Sequence, residues 1–170
     1  MNTALPVIPP AKLFQHQMPV RFTLDNDIPV WYLYNPIVPL MSMKIAFNAG
    51  SCLDPSDKAG RAALTAAMLK EGSNGKTAQA ISDEIEILGA TLYTSTSQDA
   101  QTLDLQAMTQ FFPDALNILE EVWRKPDFSQ ASLDRLKKLW QTNLIARADA
   151  PEQLAKLAGN RDFFGDDHPY

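Results

Sequence analysis

Few residues in this 170-residue chain are suited to chemistry: it holds two histidines and one cysteine. His16 lies in a proline-rich lead-in and His168 near the far end beside Asp166 and Asp167, so neither stands on a periodic element. A catalytic zinc ion takes three protein ligands, commonly histidines braced by neighbouring groups. No single rigid element here supplies that set, and the run around His168 reads as a solvated loop. Carboxylates cluster at Asp83-Glu84 with Glu86 and at Glu120-Glu121. Each group lies on a helical stretch opposite its apolar stripe, the pattern of a solvated face. Ser42, Ser51 and Ser95 have no histidine placed to activate them as nucleophiles. Cys52 is alone, which excludes an intrachain disulfide, leaves the redox compartment open and reads as a small packing residue near a strand end. The GSNG run at 72–75 lacks both the GK[ST] signature and the preceding strand of a phosphate loop.

One stretch has the layout of a site without its functional groups. In GRAALTAAMLKEG, residues 60–72, Ala63, Ala66 and Ala67 take the i, i+3, i+4 spacing that gathers side chains on one helical face. A helix uses that spacing to hold a metal between two histidines and an acid. Here all three positions end in methyl groups.

The elements around this helix can be read from periodicity. Residues 1–18, with Pro6, Pro9 and Pro10, form an extended lead-in to a domain spanning 19–170. PVRFTLDNDIPVWYLY predicts a hairpin turning at Asp25-Asn26-Asp27. LMSMKIAFNAG alternates, with Met41, Met43, Ile45 and Phe47 on one side and Ser42, Lys44 and Asn48 on the other. The alanine helix is expected to close at Gly72. A second helix starts at the N-cap Thr77 and buries Ile81, Ile85 and Leu88. A second hairpin turns at Gln98-Asp99, its later arm burying Leu103, Leu105 and Ala107. Three helices follow. The first starts at Pro113 with Leu116, Leu119, Val122 and Trp123 inward. The second is capped by Ser129 or Ser132, with Leu133, Leu136, Trp140 and Leu144 inward, and the third begins at Pro151 with Leu154 and Leu157. Trp31, Trp123 and Trp140 suit core or helix packing. Strands and helices come in groups, which predicts an α+β two-layer sandwich with helices on one face of a mostly antiparallel sheet.

Composition sets outer bounds. A hydrophobic fraction of 45% with 21% charged residues is that of a globular domain, and the net charge of −5, with no local Lys/Arg cluster, argues against a nucleic-acid footprint. No apolar run approaches the ~20 residues of a membrane span. The N-terminus lacks a signal-peptide pattern. The periplasm is favoured if Met1 is not the natural start, and the cytoplasm otherwise. The chain stops directly after a helix, as a piece of something longer would.

The order of these pieces resembles the N-terminal domain of the pitrilysin/insulinase family of zinc metallopeptidases. The matching pieces are Ala49-Gly50-Ser51, Asp54, Gly60, Met68-Leu69, Gly72, the run Ile81 to Ile85, Leu88-Gly89, Thr96-Ser97 and the closing FFGDDHPY. In that family the helix after Gly60 bears the inverted motif H-x-x-E-H. The resemblance puts Ala63 and Ala67 at the two zinc histidines and Ala66 at the glutamate that activates water. Counting back from Pro151 puts Asn143 at the third ligand, a glutamate, and no Glu occurs between Glu121 and Glu152. All four positions are vacated. The resemblance therefore implies a catalytically silent bacterial homologue with no zinc and no other cofactor. It would pair with an active peptidase of the same family as a heterodimer and help to hold peptide or unfolded polypeptide. A structural subunit like the core proteins of respiratory complex III is the alternative; an active zinc peptidase would require His16 and His168. In the family, substrate adds as a strand beside the zinc helix. Here that edge comprises Thr91, Leu92, Tyr93 and Thr94, with Tyr93 in place of the family's usual asparagine.

Overall fold

The computed structural model describes residues 16–165 and 168, and it divides into two compact units, Met1–Val38 and Pro39–Tyr170. Residues 1–15 of the lead-in, together with Asp166 and Asp167, lie outside the described residues.

In the first unit, β1 (Val20–Thr23) pairs antiparallel with β2 (Pro29–Tyr32). The turn between them holds Asp27 at φ 64°, a left-handed conformation that aspartate tolerates better than most residues. Trp31 is 60% exposed, so it is not the core residue the sequence suggests. Instead the Arg21 guanidinium lies 5.4 Å from its ring centroid.

The second unit is built on a three-stranded antiparallel sheet, β3 (Leu40–Phe47), β7 (Gln101–Met108) and β6 (Thr91–Thr96), in that spatial order. Alternation sets its two faces. Leu103, Leu105 and Ala107 are at most 2% exposed and pack against α2 (Ala78–Ile87) and α3 (Phe112–Arg124). Ile81 and Ile85 of α2 and Phe112, Ala115, Leu119 and Val122 of α3 complete that core. The opposite face carries Lys44 bridged to Asp104 at 2.9 Å and Ser95 bonded to Thr102. All the core helices lie on one face, as the grouped pattern requires.

Local chemistry explains the boundaries. Thr77 caps α2 by accepting from the Ala80 N–H, and Ser129 caps α4 (Gln130–Ala148) by accepting from the Ser132 N–H. Pro151 opens α5 (Pro151–Phe164). Two expectations need correction. The alanine helix α1 spans Arg61–Met68 and closes at Leu69, so Gly72 is not its cap. Gly72 belongs to a short hairpin, β4 (Gly72–Ser73) with β5 (Lys76–Thr77), that turns through Asn74 and Gly75, both at positive φ. Leu116, Trp123 and Leu144, expected inward, are 37%, 41% and 60% exposed. On α3, Phe112 and Ala115 take the core positions instead. Trp123 packs at a tilt against Phe47 with centroids 5.4 Å apart.

The β4–β5 hairpin closes the C-terminal end of α3. The buried Ser73 hydroxyl lies 2.8 and 2.9 Å from the Glu121 and Lys125 carbonyls and donates into that pair. Lys76 reaches Glu84 on α2 at 2.9 Å and Glu121 on α3 at 2.8 Å. Asn74 donates to the other Glu121 oxygen at 2.7 Å. Thus Glu84 and Glu121, which read as solvated carboxylates in the sequence, instead share a lysine that ties two helices to the hairpin.

Candidate functional site

The alanine face depends on how α1 begins. Its N-cap is Gly60 at φ 90°, a conformation that side chains rarely adopt. The first-turn N–H groups are satisfied by Asp54, whose carboxylate accepts from Gly60 and Ala62, both at 2.9 Å. That side chain is 4% exposed, so it acts as a buried cap delivered by the loop from β3. The same loop packs against the β6–β7 turn, where Ser51 and Cys52 donate to the Ser97 and Gln98 carbonyls. Gly50 passes so close to Gln98 and Asp99 that a Cβ there would collide with their backbone. The Ala-Gly-Ser run and Asp54 therefore fix where α1 starts relative to β6.

Two further bonds seat α1 on the strands. Gln101 Nε2 donates to the Ala62 carbonyl at 2.8 Å, and Thr96 Oγ1 donates to it at 3.4 Å. Ala66 is 3% exposed, whereas Ala63 and Ala67 are half-buried. Asn143 lies on α4, which runs antiparallel beside α1: Arg135 pairs with Glu71 past the end of α1, and the Trp140 ring packs beside Gly60 at its start. Asn143 follows one turn after Trp140, with its side chain exposed.

Zinc requires lone-pair donors. The three alanine methyls offer none, and Asn143 offers only an exposed amide, so these residues do not fit the ion. Among the described residues no cluster of three or more His, Cys, Asp or Glu side chains has a metal-binding arrangement. His168 stacks on Phe164 at 5.0 Å, and His16 lies in the other unit.

The edge beside α1 carries different chemistry. Among the described residues, β6 has a strand partner on one side only, β7. Ser97 N–H donates to the Ala100 carbonyl at 2.8 Å, which makes that a hydrogen-bonded pair. Alternation along the register then aims the backbone groups of Ser95, Tyr93 and Thr91 at β7 and those of Thr96, Thr94 and Leu92 at the open side. The Leu92 side chain is buried in the helix layer, and Tyr93 on the opposite face is 62% exposed. Lys70 donates to the outward Leu92 carbonyl at 3.4 Å, with its ammonium 5.8 Å from the Tyr93 ring centroid. Sequence reasoning did not find Lys70, because nothing in its spacing marks it.

A helix seated beside a sheet edge, with capping loop and hairpin in this order, makes up one α+β domain. A family model described as insulinase, peptidase family M16, matches residues 30–167, and the chain belongs to that family. Its fold matches the crystal structure of a peptidase M16 inactive domain from Pseudomonas fluorescens with a TM-score of 0.85 and 29% identity, over 91% of this chain and 37% of that one. It is 26% identical over 137 residues to a Helicobacter pylori protein named non-peptidase homolog YmxG, covering 81% of this chain and 32% of that protein. It is also 24% identical over 113 residues to the mitochondrial-processing peptidase subunit beta of Neurospora crassa, covering 66% of this chain and 24% of that subunit. The chain thus spans about a third or less of the length of these two relatives. No helix among the described residues is long and apolar enough to cross a membrane.

Proposed function

We propose that this chain is the non-catalytic member of a two-component M16 peptidase, holding peptide for an active partner of the same family. One observation carries this reading. The helical face to which the resemblance assigns the zinc motif carries three methyl groups, while the strand edge beside it keeps outward-facing backbone groups. Hydrolysis by the family chemistry needs a Lewis acid and a base near the scissile carbonyl, and Ala63, Ala66 and Ala67 can act as neither. Main-chain pairing to an edge strand requires only N–H and C=O groups, so it survives loss of the metal site. The names of the Helicobacter and Pseudomonas relatives support the silent reading, and the processing-peptidase subunit is a multi-subunit precedent.

Purifying the full chain at native levels, identifying what accompanies it and measuring zinc in each component tests this. The expected result is a stoichiometric M16 partner bearing H-x-x-E-H, with zinc confined to that partner. A chain that alone binds one equivalent of zinc and cleaves peptide in a chelator-sensitive way overturns the reading. A stoichiometric partner that itself lacks the motif points to the structural-subunit alternative.

A further inference from the structure

Lys70 leaves the helix layer just past α1 and extends across the open edge of β6. Its ammonium bonds the outward Leu92 carbonyl at 3.4 Å and lies 5.8 Å from the ring centroid of Tyr93, whose side chain stands on the opposite face of the sheet. The neighbouring carboxylates already have cations of their own. Glu71 pairs with Arg135, and Asp104, across from Tyr93 in the register, pairs with Lys44. Among the described residues no carboxylate is bonded to Lys70. An ammonium has three donors, and one carbonyl at 3.4 Å takes only one of them. The Leu92 end of the edge therefore presents a positive charge braced on an aromatic ring, whereas the Thr94 and Thr96 stretch presents neutral backbone groups.

Resting on the peptide-holding reading above, we infer that Lys70 and Tyr93 form a carboxylate-selecting subsite at the Leu92 end of the β6 edge. A peptide added along Thr94 and Thr96 reaches Lys70 with the residue opposite Leu92. A carboxylate there replaces the weak carbonyl bond with a charge-assisted one, while a neutral residue must share the Leu92 acceptor with the ammonium. The carboxylate has two possible sources, an acidic side chain or a free C-terminus ending at that point.

Fluorescence anisotropy on the full chain tests this with three fluorescein-labelled, serine- and threonine-rich peptides. One carries Glu at the position opposite Leu92 with an amidated end, one carries Gln there with an amidated end, and one is truncated there with a free carboxylate. The Glu peptide or the truncated peptide is expected to bind about two- to fivefold more tightly than the Gln peptide, the range of an exposed ion pair, and which of them does so names the source. Lys70→Gln is expected to bring the ratios to one and Lys70→Arg to restore them. Equal binding of all three peptides by the parent, or a preference that persists in Lys70→Gln, overturns the subsite while leaving peptide holding intact. Failure of every peptide to bind overturns both.

Discussion

Gln101 on β7 donates through Nε2 to the carbonyl of Ala62 at 2.8 Å, fastening the first turn of α1 to the strand that carries the edge strand β6. This bond ties the alanine helix directly to the strand beside the open edge. The same carbonyl also accepts from Thr96 of β6 itself. The alanine helix and the edge beside it are thus held in register by backbone and neutral side-chain groups.

Placing the family motif on α1 is expected not to yield a peptidase. Ala66→Glu places a carboxylate at a position 3% exposed and is expected to lower stability by about 1–3 kcal/mol, the cost of overpacking and of an unsatisfied buried polar group. Ala63→His and Ala67→His at half-buried positions are expected to cost less. Urea unfolding of the three single variants and the triple variant checks the ranking. The triple variant is expected to show no peptide hydrolysis with added zinc while Asn143 is unchanged.

Asp54 is expected to be the strongest single polar determinant of α1. Its carboxylate satisfies two first-turn N–H groups from a site 4% exposed. Asp54→Ala should destabilise by about 1–2 kcal/mol, the upper part of the range for lost caps. Asp54→Asn, which keeps one acceptor oxygen, should lose less. Denaturant midpoints at unchanged m-value report both.

The Lys76 cluster predicts a pH profile with two shoulders. The hydrogen bond from Lys76, and secondarily that from Asn74, holds the Glu121 carboxyl below its ordinary 4.5. Its stabilising contribution is therefore present above that ordinary value and is lost as pH falls through the lower folded value. Hydrogen bonds to Glu121 and Glu84 raise Lys76 above its ordinary 10.5, so its contribution is complete below 10.5 and is lost as pH rises through the higher folded value. Thermal unfolding from acid to alkaline pH is expected to show both losses in the parent. Lys76→Met should remove the alkaline loss and reduce the acid one, because Asn74 still bonds Glu121.

Much of this fold was legible in the sequence because burial and periodicity agree in it. Leu103, Leu105 and Ala107 alternate on a strand buried on one face only, and Ile81 and Ile85 repeat on a helix with a Thr77 cap. The β4–β5 hairpin escaped notice because two-residue strands carry no period. Its only signal was the Asn74-Gly75 pair, which read first as a failed phosphate loop. With that hairpin missed, Gly72 looked like a helix cap. Leu144 fitted the apolar stripe of α4 yet is 60% exposed, since a stripe shows which face is apolar and not how far along the helix something covers it. The spacing of the alanines at 63, 66 and 67 is visible in the sequence alone, but only the resemblance of their flanks ties those positions to a metal motif. Asp54 was legible as a matching piece but not as a cap, since it reaches α1 from outside the helix.

Whether the β6 edge holds peptide is tested most directly by proline substitution on the full chain, because the register makes opposite claims for adjacent residues. The Thr94 amide faces the open side and the Tyr93 amide faces β7. Thr94→Pro therefore removes only a donor available to an incoming strand, as edge positions tolerate, whereas Tyr93→Pro removes a ladder bond. Binding of an extended fluorescein-labelled peptide, followed by anisotropy, is expected to be lost or reduced about tenfold or more in Thr94→Pro, with thermal stability close to the parent's. Tyr93→Pro is expected to unfold at lower temperature. Undiminished peptide affinity in a folded Thr94→Pro protein would contradict the account, because the β6 edge would then not be what holds the peptide.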